Sequence, residues 1–302
     1  MQRILHVLTG CTAVGKTELA LRWAEANGAE IVSCDSLLFY RGADIGTAKP
    51  AKAELARVPH HLIDIRDVSQ QMNVTYYVTL ARAAVEEILA RSRRVLVTGG
   101  SGFYLKAFFA PVADEVAVPA ELREQLRAKL EREGLAALVA ELKQLNPAGL
   151  GALDVQNPRR VLRALERCRA SGRTLAVLQA EFDALPSPFA DFRVELCELA
   201  RDPGELDARI AQRVDAMLAA GLVEEVRGLL GRGLKENPSA AGAIGYRETI
   251  DCLEGRLPEA ELAAAIVKNT RGLVRKQRTW FKTQLPAHRQ VAATAAPGDL
   301  FA

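Results

Sequence analysis

A glycine-rich segment near the start of the chain has the residue types and spacing of a phosphate-binding loop. Residues 10–17 read GCTAVGKT and fit the pattern G-x-x-x-x-G-K-[ST]. Glycines let the backbone curl so that its N–H groups and the following helix N-terminus surround an anion. The Lys16 ammonium adds positive charge, and the Thr17 hydroxyl can hold Mg²⁺. The candidate diphosphate ligands are Gly10, Cys11, Thr12, Ala13, Val14, Gly15, Lys16 and Thr17.

A carboxylate follows the second predicted strand. Asp35 and Ser36 come directly after the β-branched run at residues 30–34. Open α/β sheets bind ligands at the carboxyl ends of their strands, so we expect Asp35 near the phosphate loop. A carboxylate beside a bound diphosphate can orient a nucleophile or accept its proton. An Asx-type turn after the strand is the structural alternative for Asp35.

The pattern of an ordinary phosphate-loop kinase is incomplete. Such enzymes hold Mg²⁺ with an aspartate at the end of a second strand. The candidate strand here, RVLVTGG, ends in Thr98 and two glycines, and the run HLID at residues 61–64 is short and follows Pro59. A small-molecule or nucleoside kinase stays open as an alternative on fold grounds.

The elements that position these residues alternate between strands and helices. Strand patterns occupy residues 4–8, 30–34, 94–98 and 192–199, and helical patterns occupy residues 17–27, 77–91 and, as one long helix, about 203–230. This alternation predicts an α/β fold with a P-loop NTPase-like, doubly wound parallel sheet. From residue 114 to 185 the pattern becomes helical and charged. We therefore predict a helical insertion at 114–185 in a catalytic core made of residues 1–113 and 186–302.

The composition limits the class of protein. Hydrophobic residues make up 49% of the 302 residues and charged residues 25%, which is typical of soluble globular proteins. No run of eighteen apolar residues occurs, and the N-terminal run leads straight into the glycine loop, so we expect neither a membrane span nor a signal peptide. The five cysteines lack a C-x-x-C pair, which favours a reducing cytoplasm over disulfides or a zinc site.

Positive charge is concentrated in two segments. Residues 267–290 contain no acidic residue, and residues 159–173 carry six arginines against one acid, Glu166. Basic patches of this kind are typical of proteins that bind a phosphate backbone, although two solvated helix faces are the simpler alternative.

Seven segments, in order, resemble the tRNA dimethylallyltransferase family. The phosphate loop resembles GPTASGKT, and residues 35–50 are similar to D-S-x-x-x-Y-x-G-x-D-I-G-T-A-K-P. The others are PHHLID at 59–64, GGSGFYL at 99–105, NPRR at 157–160, GYRE at 245–248 and KQRTWF at 276–281. Departures from the family pattern are Cys11 for Pro, Val14 for Ser and Ser101 for Thr. The resemblance covers residues 4–285.

The resemblance implies a prenyl transfer. The donor is dimethylallyl diphosphate, and the acceptor is the N6 amine of the adenine 3′ of the anticodon in tRNA. The phosphate loop holds the leaving diphosphate with Mg²⁺ bound at Thr17. Asp35 takes the position of the general base, Ser101 lies near the reacting centre, and Arg213 contacts the diphosphate. We expect a cytoplasmic, monomeric enzyme whose partner is the tRNA anticodon stem-loop.

The resemblance also implies which residues contact tRNA. They are Asp35, Ser36, Leu37, Leu38, Ser101, Arg123, Arg159, Arg160, Val161, Leu162, Arg163, Gly242, Ala243, Ile244, Gly245, Tyr246 and Arg247. A tRNA-binding protein that has lost catalysis is a third hypothesis, and the intact catalytic residue types count against it.

Other residues that could do chemistry are assigned structural roles. His60 and His61 are adjacent and therefore point in different directions, with no ligand partner at suitable spacing. Trp23 lies on the core face of the first helix. For Trp280 and Phe281 we favour helix packing over stacking on a base.

Overall fold

The structure, a computed structural model, describes residues 3–301. Within this range the strands form one parallel sheet with the order β3-β2-β4-β1-β5-β6. The strands are β1 (Ile4–Gly10), β2 (Ala29–Ser33), β3 (His60–His61), β4 (Arg94–Thr98), β5 (Arg193–Ala200) and β6 (Arg289–Ala292). Because all the strand pairs are parallel, the carboxyl ends of β4, β1 and β5 lie at the same edge of the sheet. The α/β sheet predicted from the sequence is confirmed.

Helices connect and cover the strands. They are α1 (Lys16–Asn27), α2 (Lys52–Leu55), α3 (Val74–Ala90), α4 (Gly102–Lys106), α5 (Ala120–Leu145), α6 (Pro158–Ser171), α7 (Leu175–Asp183), α8 (Pro203–Ala219), α9 (Leu222–Leu230), α10 (Pro238–Ala241), α11 (Tyr246–Leu253) and α12 (Glu259–Gln284).

Local sequence signals explain most helix ends. The Asn73 side chain accepts a hydrogen bond from the Tyr76 N–H at 2.8 Å and begins α3, and Gly28, in the left-handed conformation, ends α1. The prediction of one helix over residues 203–230 is wrong. Gly221 adopts φ 97° and separates α8 from α9, because a left-handed residue cannot continue a right-handed helix.

The chain divides into two compact units. Residues 1–112 and 187–302 form one unit, and residues 113–186 form the other. Residues 1, 2 and 302 of the predicted core lie outside the described residues. The 113–186 unit contains α5, α6 and α7, and Gly134 interrupts the helical conformation of α5. Its own apolar core consists of Leu126, Leu138, Leu142, Val161, Ala164, Leu165, Cys168 and Leu178.

A close backbone approach brings the ends of β2 and β4 together. A Cβ atom on Gly99 would lie 2.0 Å from the carbonyl oxygen of Cys34, so only glycine fits there. The Cys34 N–H also donates to the Thr98 carbonyl at 2.8 Å. The residue after Cys34 is Asp35, and the glycine turn leads to Ser101. The two candidate catalytic residues therefore follow neighbouring strand ends.

Candidate active site

The phosphate loop connects β1 to α1 and depends on left-handed backbone. Gly10 has φ 147° and Gly15 φ 107°, while Ala13 adopts φ 62°. The Lys16 Nζ atom donates to the carbonyl oxygens of Gly10 at 2.8 Å and Cys11 at 2.9 Å. Desolvation lowers the pKa of the Lys16 amine to about 8, although Asp35 acts in the opposite direction. The amine is thus held against the loop and titrates in a range accessible to experiment.

Two departures from the family pattern in this loop are buried. Cys11 is 4% exposed and Val14 1%, and both belong to the main apolar core. Burial raises the pKa of the Cys11 thiol, so this cysteine is an unreactive packing residue. The Val14 side chain likewise packs in the core, so the substitution leaves the backbone that surrounds the anion in place.

One cavity, which we call the phosphate cavity, lies along the phosphate loop and has a volume of about 480 Å³. Its walls include the loop residues Thr12, Ala13, Gly15, Lys16 and Thr17. Further basic or hydroxyl-bearing side chains that line it are Lys49, Arg209, Arg213, Ser33, Thr47 and Thr98. Four cations, Lys16, Lys49, Arg209 and Arg213, and the N–H groups of the loop can bind a diphosphate here. The carboxylates of Glu18, Asp35 and Glu54 and several apolar side chains line the same cavity.

A second cavity, which we call the apolar cavity, has a volume of about 470 Å³. Its predominantly apolar wall includes Leu37, Phe103, Tyr104, Ile210, Val214, Met217, Ile244, Ile266, Leu273, Trp280 and Phe281. A space of this kind accommodates a prenyl group or a flat base.

The two cavities meet at a common set of residues. Both are lined by Thr12, Asp35, Thr47, Gly100, Arg213 and Gln277. A molecule with a diphosphate head and an apolar tail can therefore place the head at the phosphate loop and the tail beyond this junction. The bond between head and tail would then lie beside Asp35 and Arg213.

Asp35 combines the two roles considered for it. Its Oδ1 atom accepts a hydrogen bond from the Leu37 N–H at 3.0 Å, which forms the Asx-type turn. The same residue lines both cavities, and its charge raises the pKa values of Lys16 and Arg213 against the effect of burial. The structural and functional interpretations of Asp35 are therefore compatible.

Ser101 is tied to the residue that follows Asp35. Its Oγ atom accepts from the Ser36 N–H at 2.9 Å and donates to the Ser36 Oγ atom at 3.2 Å. Both serines line the apolar cavity, next to the junction. The hydroxyl that Ser101 retains thus has a fixed position, even without the methyl group of threonine.

Arg213 belongs to the junction and is not a surface charge. Burial is the main effect on its guanidinium and lowers its pKa. Its Nη2 atom donates to the Thr47 carbonyl oxygen at 3.4 Å. One turn earlier in α8, the Arg209 Nε atom donates to the Ala13 carbonyl oxygen at 2.9 Å. Helix α8 therefore presents two cations to the phosphate loop.

Two residues near the junction were not predicted from the sequence: Gln277, which belongs to it, and Lys49, which lines only the phosphate cavity. Gln277 on α12 accepts from the Thr12 N–H at 3.0 Å and donates to the Gly100 carbonyl at 2.9 Å, so it bridges the phosphate loop and the glycine turn. Lys49 has a side chain only 5% exposed and donates to the Tyr40 carbonyl at 2.9 Å. Both residues lie in motifs that the resemblance had singled out, but nothing in their type or spacing indicated these contacts.

The segment 242–247 contributes to the site unevenly. Ile244 and Gly245 line the apolar cavity, and Gly242 and Arg247 are exposed. Tyr246 is 1% exposed, and its hydroxyl donates to Glu225 at 2.9 Å. The Tyr246 ring and hydroxyl are thus used inside the protein, and the tRNA contact predicted for this segment stays a prediction.

In the 113–186 unit, most of the predicted tRNA-binding arginines are accessible. Arg123, Arg159, Arg160 and Arg163 are exposed. Val161, in contrast, is fully buried in the core of this unit, so its side chain faces away from the exposed arginines, and the contact predicted for its segment stays a prediction. Sequence position placed it within a basic run, whereas helical periodicity turns it inward.

Leu162 and Arg167 complete the description of this helix. Leu162 is partly buried against the core of its unit. Arg167, which follows Arg160 and Arg163 at helical spacing and so shares a face of α6 with them, forms an ion pair with Asp114. That pairing reduces the positive charge this face offers to a phosphate.

The residues at the phosphate cavity suit Mg²⁺ in the form that accompanies a diphosphate. Thr17 and Asp35 supply oxygen ligands, and the buried Ser33 Oγ atom, on the wall of the same cavity, has no hydrogen-bond partner among the described residues. Mg²⁺ bound by one carboxylate, hydroxyls, water and substrate phosphates matches this donor set. Within residues 3–301 no cluster of three or more His, Cys, Asp or Glu side chains is placed to hold a metal by itself.

The two adjacent histidines have structural partners. The His61 Nε2 atom lies 2.7 Å from the Glu30 carboxylate, and the His60 Nδ1 atom lies 2.7 Å from the Val58 carbonyl oxygen. The first contact joins the short edge strand β3 to β2, and the second is local to the turn before β3.

The tryptophans differ in role. Trp23 is 4% exposed and packs in the core, as predicted. Trp280 packs tightly against Gly102, where a Cβ atom would lie 2.6 Å from the indole, and it also lines the apolar cavity. Trp280 therefore packs against α4 and also forms part of the wall of the apolar cavity.

Comparison with known proteins identifies the family. Residues 38–284 match the family model described as IPP transferase. The chain belongs to the IPP transferase family. A tRNA dimethylallyltransferase of Opitutus terrae is 68% identical over 299 residues, which cover 98% of this chain and 96% of that protein. A tRNA dimethylallyltransferase of Deinococcus radiodurans is 41% identical over 290 residues, which cover 95% and 92%.

The fold agrees with that of a solved IPP transferase. The crystal structure of the tRNA isopentenylpyrophosphate transferase from Bacillus halodurans superposes with a TM-score of 0.68 at 31% identity, covering 97% of this chain and 90% of that one. The predicted family, fold class and enzyme class are confirmed, and the kinase alternative finds no support. Among residues 3–301, no helix has both the length and the apolar character needed to cross a membrane.

Proposed function

We propose that this IPP transferase moves the dimethylallyl group of dimethylallyl diphosphate onto the N6 amine of the adenine 3′ of the anticodon in tRNA. The observation that carries the proposal is the junction of the two cavities at Asp35 and Arg213. It connects a space that contains the phosphate loop and four cations with an apolar space, as a prenyl diphosphate requires. The curated relatives of Opitutus terrae and Deinococcus radiodurans bear the name of this activity.

On the leaving side, the chain neutralises charge. The bond between the allylic carbon and the bridging oxygen breaks, and the diphosphate keeps the electron pair. Backbone N–H groups of the phosphate loop, the Lys16 ammonium and the Arg213 guanidinium stabilise the negative charge that develops. The Thr17 hydroxyl would hold Mg²⁺ beside the diphosphate, and the ion would supply further positive charge there.

On the attacking side, the chain orients a weak nucleophile. The adenine N6 atom forms the new bond to the allylic carbon and loses a proton, which the Asp35 carboxylate accepts. Ser101, fixed beside Ser36, lies where it can hydrogen-bond the base. Holding the amine and the allylic carbon in contact removes much of the entropic cost of their encounter.

The adenine reaches the apolar cavity only after leaving its stack in the anticodon loop. Unstacking is least costly for a base in a single-stranded loop. Leu37, Ile244 and Trp280 would contact the base within the apolar cavity. Exposed arginines at positions 123, 159, 160 and 163 would bind phosphates of the tRNA.

The direct test is incubation of the protein with unmodified tRNA, Mg²⁺ and radiolabelled dimethylallyl diphosphate, followed by nucleoside analysis. We expect label on adenosine from the anticodon loop, and none when Mg²⁺ is chelated. Absence of label together with Mg²⁺-dependent ATP turnover would instead establish the kinase alternative.

The lowered pKa of Lys16 predicts a pH dependence of donor binding. Anions bind the protonated amine, so affinity for dimethylallyl diphosphate should fall as pH rises above about 8, by at most about tenfold per pH unit. Calorimetric titrations from pH 7 to pH 9.5 would measure it. A Lys16→Arg variant keeps its charge over this range and should lack the decline.

Stability of the unliganded protein should change in the opposite direction. The folded-state pKa of Lys16 lies below its ordinary value of 10.5, so the fold favours the neutral amine. The contribution of this group to stability is therefore unfavourable below about pH 8 and relaxes as pH rises towards 10.5.

A wild-type donor affinity that is flat across this range would contradict the assignment of Lys16.

A further inference from the structure

Glu225, in the first turn of α9, accepts four hydrogen bonds. Its Oε2 atom accepts from the backbone N–H groups of Asp44 at 2.9 Å and Ile45 at 2.6 Å. Its Oε1 atom accepts from the Gly46 N–H at 2.9 Å and the Tyr246 hydroxyl at 2.9 Å. Hydrogen bonds to a carboxylate are stronger than those between neutral groups. One side chain thus fastens three consecutive backbone groups to α9 and to the start of α11.

The fastened backbone leads directly to the junction. Gly46 and Thr47 line the apolar cavity, and Thr47 also lines the phosphate cavity. The Thr47 carbonyl oxygen accepts from the Arg213 guanidinium at 3.4 Å. The position of residues 44–47 therefore helps to decide where the Arg213 guanidinium is held.

Tyr246 completes the contact from the other wall. Its ring packs so closely on Gly46 that a Cβ atom there would lie 2.5 Å from the ring. Burial, the charge of Glu225 and the hydrogen bond with it all raise the pKa of the Tyr246 hydroxyl, so the phenol remains a donor at neutral pH. The residues just before it, Ile244 and Gly245, line the apolar cavity.

We propose that Glu225 is a positioning residue for the transfer, acting through residues 44–47 and Tyr246. It joins the loop that holds Arg213 to the segment that borders the apolar cavity, and so sets the relative position of the diphosphate and the acceptor base. The proposal rests on the proposed function for its kinetic consequence. Its consequence for anion binding does not depend on that function.

The substitution Glu225→Gln tests this role. A carboxamide keeps the size of the side chain but replaces one acceptor oxygen with a donor, which opposes the backbone N–H groups. We expect kcat at saturating substrates to fall about ten- to a hundredfold, since small displacements of reacting groups have effects of that size. Mg²⁺–pyrophosphate affinity, measured by calorimetry, should fall severalfold because Arg213 is less well held.

Two further variants make the result specific. Glu224→Gln changes the same charge on the neighbouring exposed residue, whose side chain is 74% exposed, and should leave both quantities unchanged. Tyr246→Phe removes one of the four hydrogen bonds and keeps the ring, so kcat should fall less than in Glu225→Gln. Circular dichroism at the assay temperature would establish that each variant is folded.

A merely structural role has a different signature. If Glu225→Gln lowers the melting temperature but leaves kcat and pyrophosphate affinity at wild-type values, the proposal is overturned. If Glu225→Gln does not fold, Tyr246→Phe decides by the same two measurements. If the wild-type protein transfers no prenyl group, the proposed function fails, and pyrophosphate affinity alone then decides whether Glu225 positions Arg213.

Discussion

Asp35→Asn should lower kcat for prenyl transfer by about 10² to 10⁴, the range typical of removing a general base. The amide oxygen can still accept the hydrogen bond that the Leu37 N–H donates at 3.0 Å, so the turn is preserved. What disappears is the negative charge and the ability to accept the amine proton. The measurement is single-turnover transfer with saturating tRNA and dimethylallyl diphosphate.

The binding data for Asp35→Asn should separate chemistry from folding. Affinity for tRNA should stay within a few-fold of wild type. Donor affinity measured without Mg²⁺ should not weaken, because a carboxylate beside a diphosphate repels it. Asp215→Asn, on the exposed face of α8, is the matched control and should behave as wild type. Undiminished kcat in Asp35→Asn would remove the assignment of Asp35 as the base.

The sequence predicted the anion-binding end of the site better than its apolar end. The phosphate loop follows from residue types at fixed spacing, since glycines, Lys16 and Thr17 act within one turn of chain. The apolar cavity is assembled from α4, α8, α12 and the residues just before α11, which are far apart in the sequence. Individual residues such as Met217 carry no local sign that they face a cavity instead of the core.

Two structural features were not predicted from the sequence: the helix break at Gly221 and the burial of the Val161 and Tyr246 side chains. Gly221 ended a helix inside a continuous helical pattern, because an isolated glycine is tolerated in helices and does not by itself predict a break. Val161 and Tyr246 were predicted to contact tRNA as members of segments, and the sequence did not indicate that tertiary packing buries their side chains. Motif segments locate a surface, and the fold decides which side chains of the segment reach it.

Contacts such as those of Glu225 and Gln277 were beyond the reach of the sequence. Both side chains bind backbone groups of distant segments: Glu225 lies 179 residues or more from the loop it holds, and Gln277 lies 265 residues from Thr12. Backbone N–H and C=O groups are present at nearly every position, so the sequence does not indicate which of them will need a side-chain partner.

Lys16→Ala should lower kcat/KM for dimethylallyl diphosphate by about 10² to 10³, as expected for loss of one charged stabilising group at a developing anion. The ammonium lies at the phosphate loop, where it donates to the Gly10 and Cys11 carbonyls at 2.8 and 2.9 Å. Its removal leaves Arg213 and the backbone N–H groups to stabilise the diphosphate. The loss should appear in donor affinity as well as in kcat, because the diphosphate is charged before and after the bond breaks.

The controls for Lys16→Ala address charge and loop structure separately. Lys52→Ala removes an equal charge from an exposed position in α2 and should leave kcat/KM unchanged. Lys16→Arg retains the charge but places it on a larger group, so donor affinity should be partly restored while kcat remains low. Affinity for tRNA should be unaffected in all three variants. If Lys16→Ala instead lost tRNA binding and kept donor affinity, the phosphate cavity would have to be assigned to the phosphates of tRNA, and the prenyl donor would need another site.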